Sequence, residues 1–326
     1  MTKNSKARRT TQNFRFLAAL CLLVFFTRAL ADAPFQYTPN YHLVGWLNTV
    51  APGSGEGLLG NEVEGLTQLS AEAGTFLWGY SISRRTPMTL DGVPEQVPEY
   101  NRVLSKQQQN INADIFADAL QEFGIKYHFV NTFDAYREAA KRQGVTLGID
   151  QTPTNDLFLA PFKSNILSDP WVWFPLMVVA GYAIEDYITT VNGTLNRQAN
   201  LTATSNYMYA VNYLGVQSIG SGAPEEMFFR GFMQHEFEEA VPSPWFSIPA
   251  TTALFAFAHA PGNGRYTAAA AGTYLGYLAH RENGQLSKGI AVHFWGVVIL
   301  GIETVMLTQK AERALPPTAF QVQVNY

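Results

Sequence analysis

Cysteine is nearly missing from this chain. Its 326 residues include one, Cys21. That excludes a disulfide framework and any cysteine-based metal site. Leu20, just before it, is too bulky for a lipoprotein cleavage pattern, so no lipid anchor is expected. Charge is also scarce, at 15% of residues against about 25% in ordinary soluble domains. With 47% hydrophobic and 13% aromatic residues, a chain partly in lipid and partly in water is expected. A mean hydropathy of -0.04 leaves a sizeable part outside the bilayer. Basic excess is lacking too. The formal charge is -4, and removing six basic residues with segment 1–31 would make it -10, which argues against nucleic acid as a partner. Internal repeats and low-complexity tracts are absent.

The N-terminus carries Lys3, Lys6, Arg8 and Arg9, then an apolar run from Phe16 to Phe26, then Ala29-Leu30-Ala31. This order reads as a signal peptide cut after Ala31, with an uncleaved anchor helix as the alternative. Residues 32–82 hold two small-residue-rich apolar segments around a polar break at Asn61–Glu64. They read as a membrane hairpin, or equally as a buried or interfacial helical pair. Arg84 and Arg85 would favour the cytoplasmic side of such a hairpin. Residues 83–165 are polar and turn-rich. Helical spacing over Asn112–Phe123 and Thr132–Gln143 predicts an aqueous helical insertion, with Tyr127, Phe129, Phe133 and Tyr136 as its small core. Thr152-Pro153-Thr154-Asn155 reads as a linker.

From residue 166 to about 310 the chain is apolar again, in five segments: Trp171–Ile184, Tyr207–Ile219, Phe246–Ala258, Tyr266–Ala279 and Gly289–Leu307. The last is the clearest membrane span. Tryptophans and tyrosines near the segment ends suit membrane interfaces. Pro249 should kink the third segment, and Ala268–Gly272 should let the fourth pack closely. Residues 281–284 read as a turn and 311–326 as a tail. The expected fold is therefore all-α, a polytopic membrane helical bundle with an aqueous helical insertion.

Against this apolar background stands Ser221-Gly-Ala-Pro-Glu-Glu-Met-Phe-Phe-Arg-Gly231. Pro224 suits a first helical turn, with Ser221 or Gly222 as cap, so Glu225 and Glu226 are expected in that opening turn. Glu226 and Arg230 are four apart and share a face, while Glu225 points about 100° away. One glutamate can then be paired and the other left free. His259 and His293 follow, each in or at the end of an apolar run. Ionisable groups in such segments are rare and usually functional. A carboxylate and two imidazoles can activate water either as base and donors or as metal ligands. His235-Glu236-Phe-Glu-Glu239 starts like a zinc protease motif but has Glu239 at the fifth position, so it reads as a solvated helix end. His42, His128 and His280 show no partner pattern. Glu303 is expected either to pair with a buried polar group or to line the cavity. Asn192-Gly-Thr and Asn200-Leu-Thr match a glycosylation acceptor, though a turn role suits them better.

The order Glu225-Glu226-x-x-x-Arg230, Phe255-x-x-x-His259, His293 resembles the three-motif signature of the CPBP family, the CAAX prenyl protease and bacteriocin-processing enzymes, over roughly residues 170–307. The resemblance implies an intramembrane endopeptidase. Glu225 would activate water, Glu226 and Arg230 would support it, and His259 and His293 would hold the water or the oxyanion. No cofactor is implied. Zinc belongs to the alternative in which Glu225, His259 and His293 are ligands. Partners would be a peptide or membrane-protein substrate and the lipid bilayer, and the location a cell membrane, in a bacterium the inner one. No prenylated substrate is implied. Val297 departs from the family's Asn or Asp four residues after the last histidine. An oxyanion-hole donor is worth about 2.7–4 kcal/mol, so a further alternative is a binding or immunity protein with the same fold and little catalysis.

Overall fold

A computed structural model describes residues 40–83, 98–193, 211–259 and 263–314, and these are helical, without strands. The expected signal peptide, Arg84, Arg85, Asn200 and the last part of the tail lie outside the described residues. Contacts divide the chain into two compact units, Met1–Ser70 with Asn131–Leu147, and Ala71–Val130 with Gly148–Tyr326.

In the first unit, α1 (Tyr41–Val50) begins at Asn40, whose side chain accepts from the amides of His42 and Leu43. Next come α2 (Ser54–Leu58) and the start of α3 (Glu62–Ser83). At ten residues α1 is too short to cross a bilayer. The glycines allow close contact between the segments of this unit. Gly53, at φ 76°, lies against the backbone of Gly65 so closely that a Cβ would run into its carbonyl. Val44 and Leu59 pack on Ala135 and Ala139 of α4 (Pro98–Arg142). The Asn48 amide donates to Thr132 Oγ1 at 3.1 Å, and its oxygen accepts from the Gly55 amide at 3.0 Å.

The two helices expected within the insertion are one 45-residue helix, α4. Gly124 does not break it because it serves close packing: a Cβ there would sit 2.6 Å from Thr75 Oγ1 on α3. The aromatic cluster expected as one small core is also divided. Phe133 and Tyr136 are fully buried in the first unit, whereas Phe129 stacks on Phe228 in the second, with centroids 4.2 Å apart.

In the second unit the linker reading of 152–155 gives way to short ordered helices, α5 (Thr154–Phe158) and α6 (Ser164–Leu167), with a 3-10 turn at Ala160–Phe162 between them. The bundle follows: α7 (Pro170–Gly193), a continuous helix α8 spanning 211–240, α9 (Pro244–Phe257), α10 (Asn263–Arg281) and α11 (Ser287–Ala314). α8 is wound in four pieces, π at Val211–Gln217, α at Ser218–Glu226, π at Met227–Met233 and α at Gln234–Ala240. Extended π winding is rare and tends to mark functional positions. α7 packs on α11, α8 on α11, and α9 on α10.

Among the described residues one helix, over Ser287–Met306, is long and apolar enough to cross a membrane. The outer faces of the other bundle helices are nevertheless apolar. Phe174, Met177 and Val178 on α7, Trp245 and Phe257 on α9, and Tyr266 on α10 are all well exposed.

Asp150 ties the bundle together. It is fully buried, and its Oδ2 accepts from the Leu286 amide, 2.8 Å away, at the N-terminal end of α11. Its Oδ1 accepts from the Thr152 amide at 2.8 Å, and its own amide donates to Gly284 O at 3.0 Å. Lys288 bridges Asp169 (2.7 Å) and Glu282 (2.8 Å), and its hydrogen bond holds the Asp169 carboxyl below the usual aspartate range. The turn at 281–284 is formed by Asn283 (φ 52°) and Gly284 (φ 80°).

A Cβ at Gly284 would collide with the Gly148 carbonyl. Gly284→Ala should therefore destabilise the bundle by about 2 kcal/mol or more, read as a lower midpoint in denaturant titration. The Asp169 carboxylate contributes stability above its unfolded pKa of about 3.9, and that contribution should fade as pH falls below this value. Asp169→Asn should flatten the acid limb of an unfolding-midpoint profile.

Candidate active site

The Glu-Glu pair does not open a helix. Pro224 lies inside α8, seven residues into the Ser218–Glu226 stretch, and the helix runs on through Arg230. The small residues before it serve packing rather than capping. A Cβ on Gly222 would approach Phe294 Cβ to 3.0 Å and Ile290 O to 3.3 Å. A Cβ on Gly289 would lie 3.4 Å from Glu226 Oε2. At Gly222 α8 and α11 lie close together, and four positions further along each helix than Gly222 and Gly289 the side chains of Glu226 and His293 meet.

Glu226 is at the centre. It is 1% exposed, and its Oε1 accepts from Arg230 Nη1 at 3.1 Å, one turn along the helix as the spacing required. The same oxygen lies 2.8 Å from His293 Nδ1 on α11. Arg230 Nη2 donates to Gly272 O on α10 at 3.2 Å. The close packing expected of Ala268–Gly272 is present, because a Cβ on Gly272 would sit 3.1 Å from Phe255 Cδ1 and 3.4 Å from Arg230 Nη2.

Glu225 points the other way, also buried. Its Oε2 accepts no hydrogen bond and faces His293 Nε2 at 3.7 Å. This is too long for a direct bond and suited to a shared small molecule. Its Oε1 is not free: Lys126 Nζ, from α4, is paired with it. The expectation that one glutamate is paired and the other open therefore needs amending. Both are paired, and Oε2 of Glu225 is left open. Lys126 lies 99 positions from Glu225 and had no local signal, since lysines on a polar helix are ordinarily solvated.

His259 follows the end of α9. Its Nδ1 lies 2.7 Å from Phe255 O, and because a carbonyl only accepts, Nδ1 carries the proton. Phe255 joins the parts of the site. Its ring lies 4.6 Å from the His259 ring and 5.8 Å from that of His293, and the Arg230 guanidinium sits 4.4 Å above it. Glu225, Glu226, Arg230 and His293 thus form one connected polar cluster, and His259 borders it across Phe255. The ligand atoms of Glu225, His259 and His293 are not gathered within 4.8 Å of one another. Val297, one turn beyond His293, offers no polar side chain.

Three other readings change. His235 and Glu236 are buried rather than solvated. His128 has a partner, with Nδ1 2.9 Å from Glu72 Oε2, and His280 lies 3.7 Å from Glu238. Glu303 is hydrogen-bonded to Asp186 of α7.

With this geometry in place, residues 208–299 match the family model described as Type II CAAX prenyl endopeptidase Rce1-like. The family resemblance holds. This Rce1-like stretch contains all five residues singled out from the sequence, and Lys126 lies outside it. No curated protein and no solved structure matches the chain.

Arg230→Met would leave the Glu226 carboxylate buried without its cation. Breaking a buried pair in this way costs about 3–5 kcal/mol, so the variant should unfold at a clearly lower temperature than the parent in the same detergent.

Proposed function

We propose that the chain is an intramembrane peptidase of the CAAX protease type, in which Glu225 activates the attacking water. The observation that carries this reading is the open Oε2 of a buried glutamate, facing His293 Nε2 at 3.7 Å, inside the endopeptidase-like stretch. A water held between these atoms can give its proton to Glu225 Oε2 while its oxygen adds to the scissile carbonyl. The tetrahedral oxyanion then collapses, the carbon–nitrogen bond breaks, and the proton passes from Glu225 to the leaving amine. Water and peptide become one acid and one amine.

His293 can serve this step in either protonation state. Neutral, with Nδ1–H on Glu226, it offers Nε2 as an acceptor that orients the water. Protonated, it donates from Nε2 to the oxyanion. Glu226 and Arg230 hold the ring in place, and His259 contributes Nε2 from the other side of Phe255. The apolar exposed faces of α7, α9 and α10 support a location in lipid, reached through an N-terminal export signal. The substrate is a peptide or membrane protein.

Val297 favours a second reading on the same fold, a slow or inactive membrane binding protein. Purified protein in lipid vesicles, incubated with internally quenched peptides that do or do not end in a farnesylated CAAX box, separates the two. An enzyme of the proposed kind cleaves one of them, and Glu225→Ala loses at least about 100-fold in kcat. Equal cleavage by the variant, or none by the parent, contradicts the reading. A chelator should leave the rate unchanged; loss with chelator and recovery with zinc would favour the ligand role of Glu225, His259 and His293.

A further inference from the structure

Lys126 sits in a place shaped to hold it. Its Nζ is paired with Glu225 Oε1, and its side chain is largely buried. Its stem passes Gly220 of α8 at ordinary packing distance: a Cβ there would lie 3.4 Å from Lys126 Cγ. Its ammonium lies 5.8 Å from the Phe129 ring, which itself stacks on Phe228 two positions before Arg230. One turn earlier on α4, Glu122 accepts from Gln217 of α8. Two polar pairs thus join α4 to α8 across 95 and 99 positions of sequence.

We infer that Lys126 is a positioning residue for Glu225: by occupying Oε1 it turns Oε2 toward His293 and keeps the carboxylate ionised, ready to accept a proton. This rests on the proposed role of Glu225 as base. It adds a residue from outside the endopeptidase-like stretch to the working parts of the site. A buried carboxylate with no cation beside it gains a proton readily, whereas an ammonium at contact distance favours the charged form. The other charged or titratable groups around this pair are Glu122 on α4, Glu226 and Arg230 on α8, His259 after α9, and His293 on α11. Arg230 is already engaged with Glu226 and Gly272 O. Lys126 is therefore the cation that directly contacts Glu225 among the described residues.

The test uses the full chain in lipid vesicles and needs no substrate. Isotope-edited infrared titration of the glutamate carboxyl band, with the Glu225 signal assigned by its loss in Glu225→Gln, gives the protonation midpoint of that side chain. Lys126→Met should raise the midpoint by about 1–3 pH units, and Lys126→Arg should return it to within a few tenths of a unit of the parent. With a cleaved peptide in hand, the acid limb of kcat/KM should move by the same amount in Lys126→Met. An unchanged midpoint in Lys126→Met overturns the inference, as does a rise in Lys126→Arg equal to that in Lys126→Met. Should Lys126→Met fail to fold, Lys126→Gln carries the same expectation. Because the midpoint is measured without turnover, failure here is distinct from failure of the peptidase reading, which would show as full cleavage by Glu225→Ala.

Discussion

The second unit depends on one buried oxygen. Glu226 Oε1 is shared between Arg230 of its own helix and His293 of α11, and Arg230 extends the connection to the α10 backbone at Gly272. A carboxylate and a guanidinium out of water are costly unless their lone pairs and protons are engaged. Three elements must therefore come close around this pair, and Gly222 and Gly272 are positions where a Cβ would be tight against a neighbouring helix. Burial, close approach and hydrogen bonding constrain one another here. The polar cluster is a condition of the bundle's packing as much as a feature within it.

From that constraint the proposed chemistry follows. Once Nδ1 of His293 is committed to Glu226, the ring can turn only Nε2 outward, and the neighbouring residue along α8 brings Glu225 to that nitrogen. Adjacent glutamates differ by about 100° around a helix, so one can brace the site while the next addresses it. The π winding of Met227–Met233 places Arg230 and the Phe228–Phe229 pair just beyond the carboxylates. Asp150, receiving the amide of Leu286, fixes the start of α11 two turns before His293.

Much of this could be read from residue order, because the signals were local. The i, i+4 relation of Glu226 and Arg230, the opposite heading of Glu225, the helical character of the chain, the turn at 281–284 and the close-packing run before Gly272 all depend on spacing within a few residues. What escaped was set by tertiary contact. Pro224 looked like a helix start because proline is tolerated there, yet α8 continues around it. The stretch between Asn112–Phe123 and Thr132–Gln143 showed no helical spacing of its own, yet α4 runs through it, and Gly124 is where α3 approaches. Lys126 and Phe129 looked like parts of a water-exposed insertion, and both reach the site through partners about a hundred positions away. His235 and Glu236 read as a solvated helix end because the zinc-protease pattern breaks at Glu239, but they are buried.

The claim on which the rest stands is that Glu226 holds His293, so that its other nitrogen faces Glu225. A double-mutant cycle on unfolding free energy in detergent, using Glu226→Gln, His293→Gln and the pair, measures that coupling directly. A coupling energy between about 0.5 and 3 kcal/mol is the expected result. Effects that add to within about 0.3–0.5 kcal/mol would mean that the two side chains do not act on each other, and the site as described would not exist.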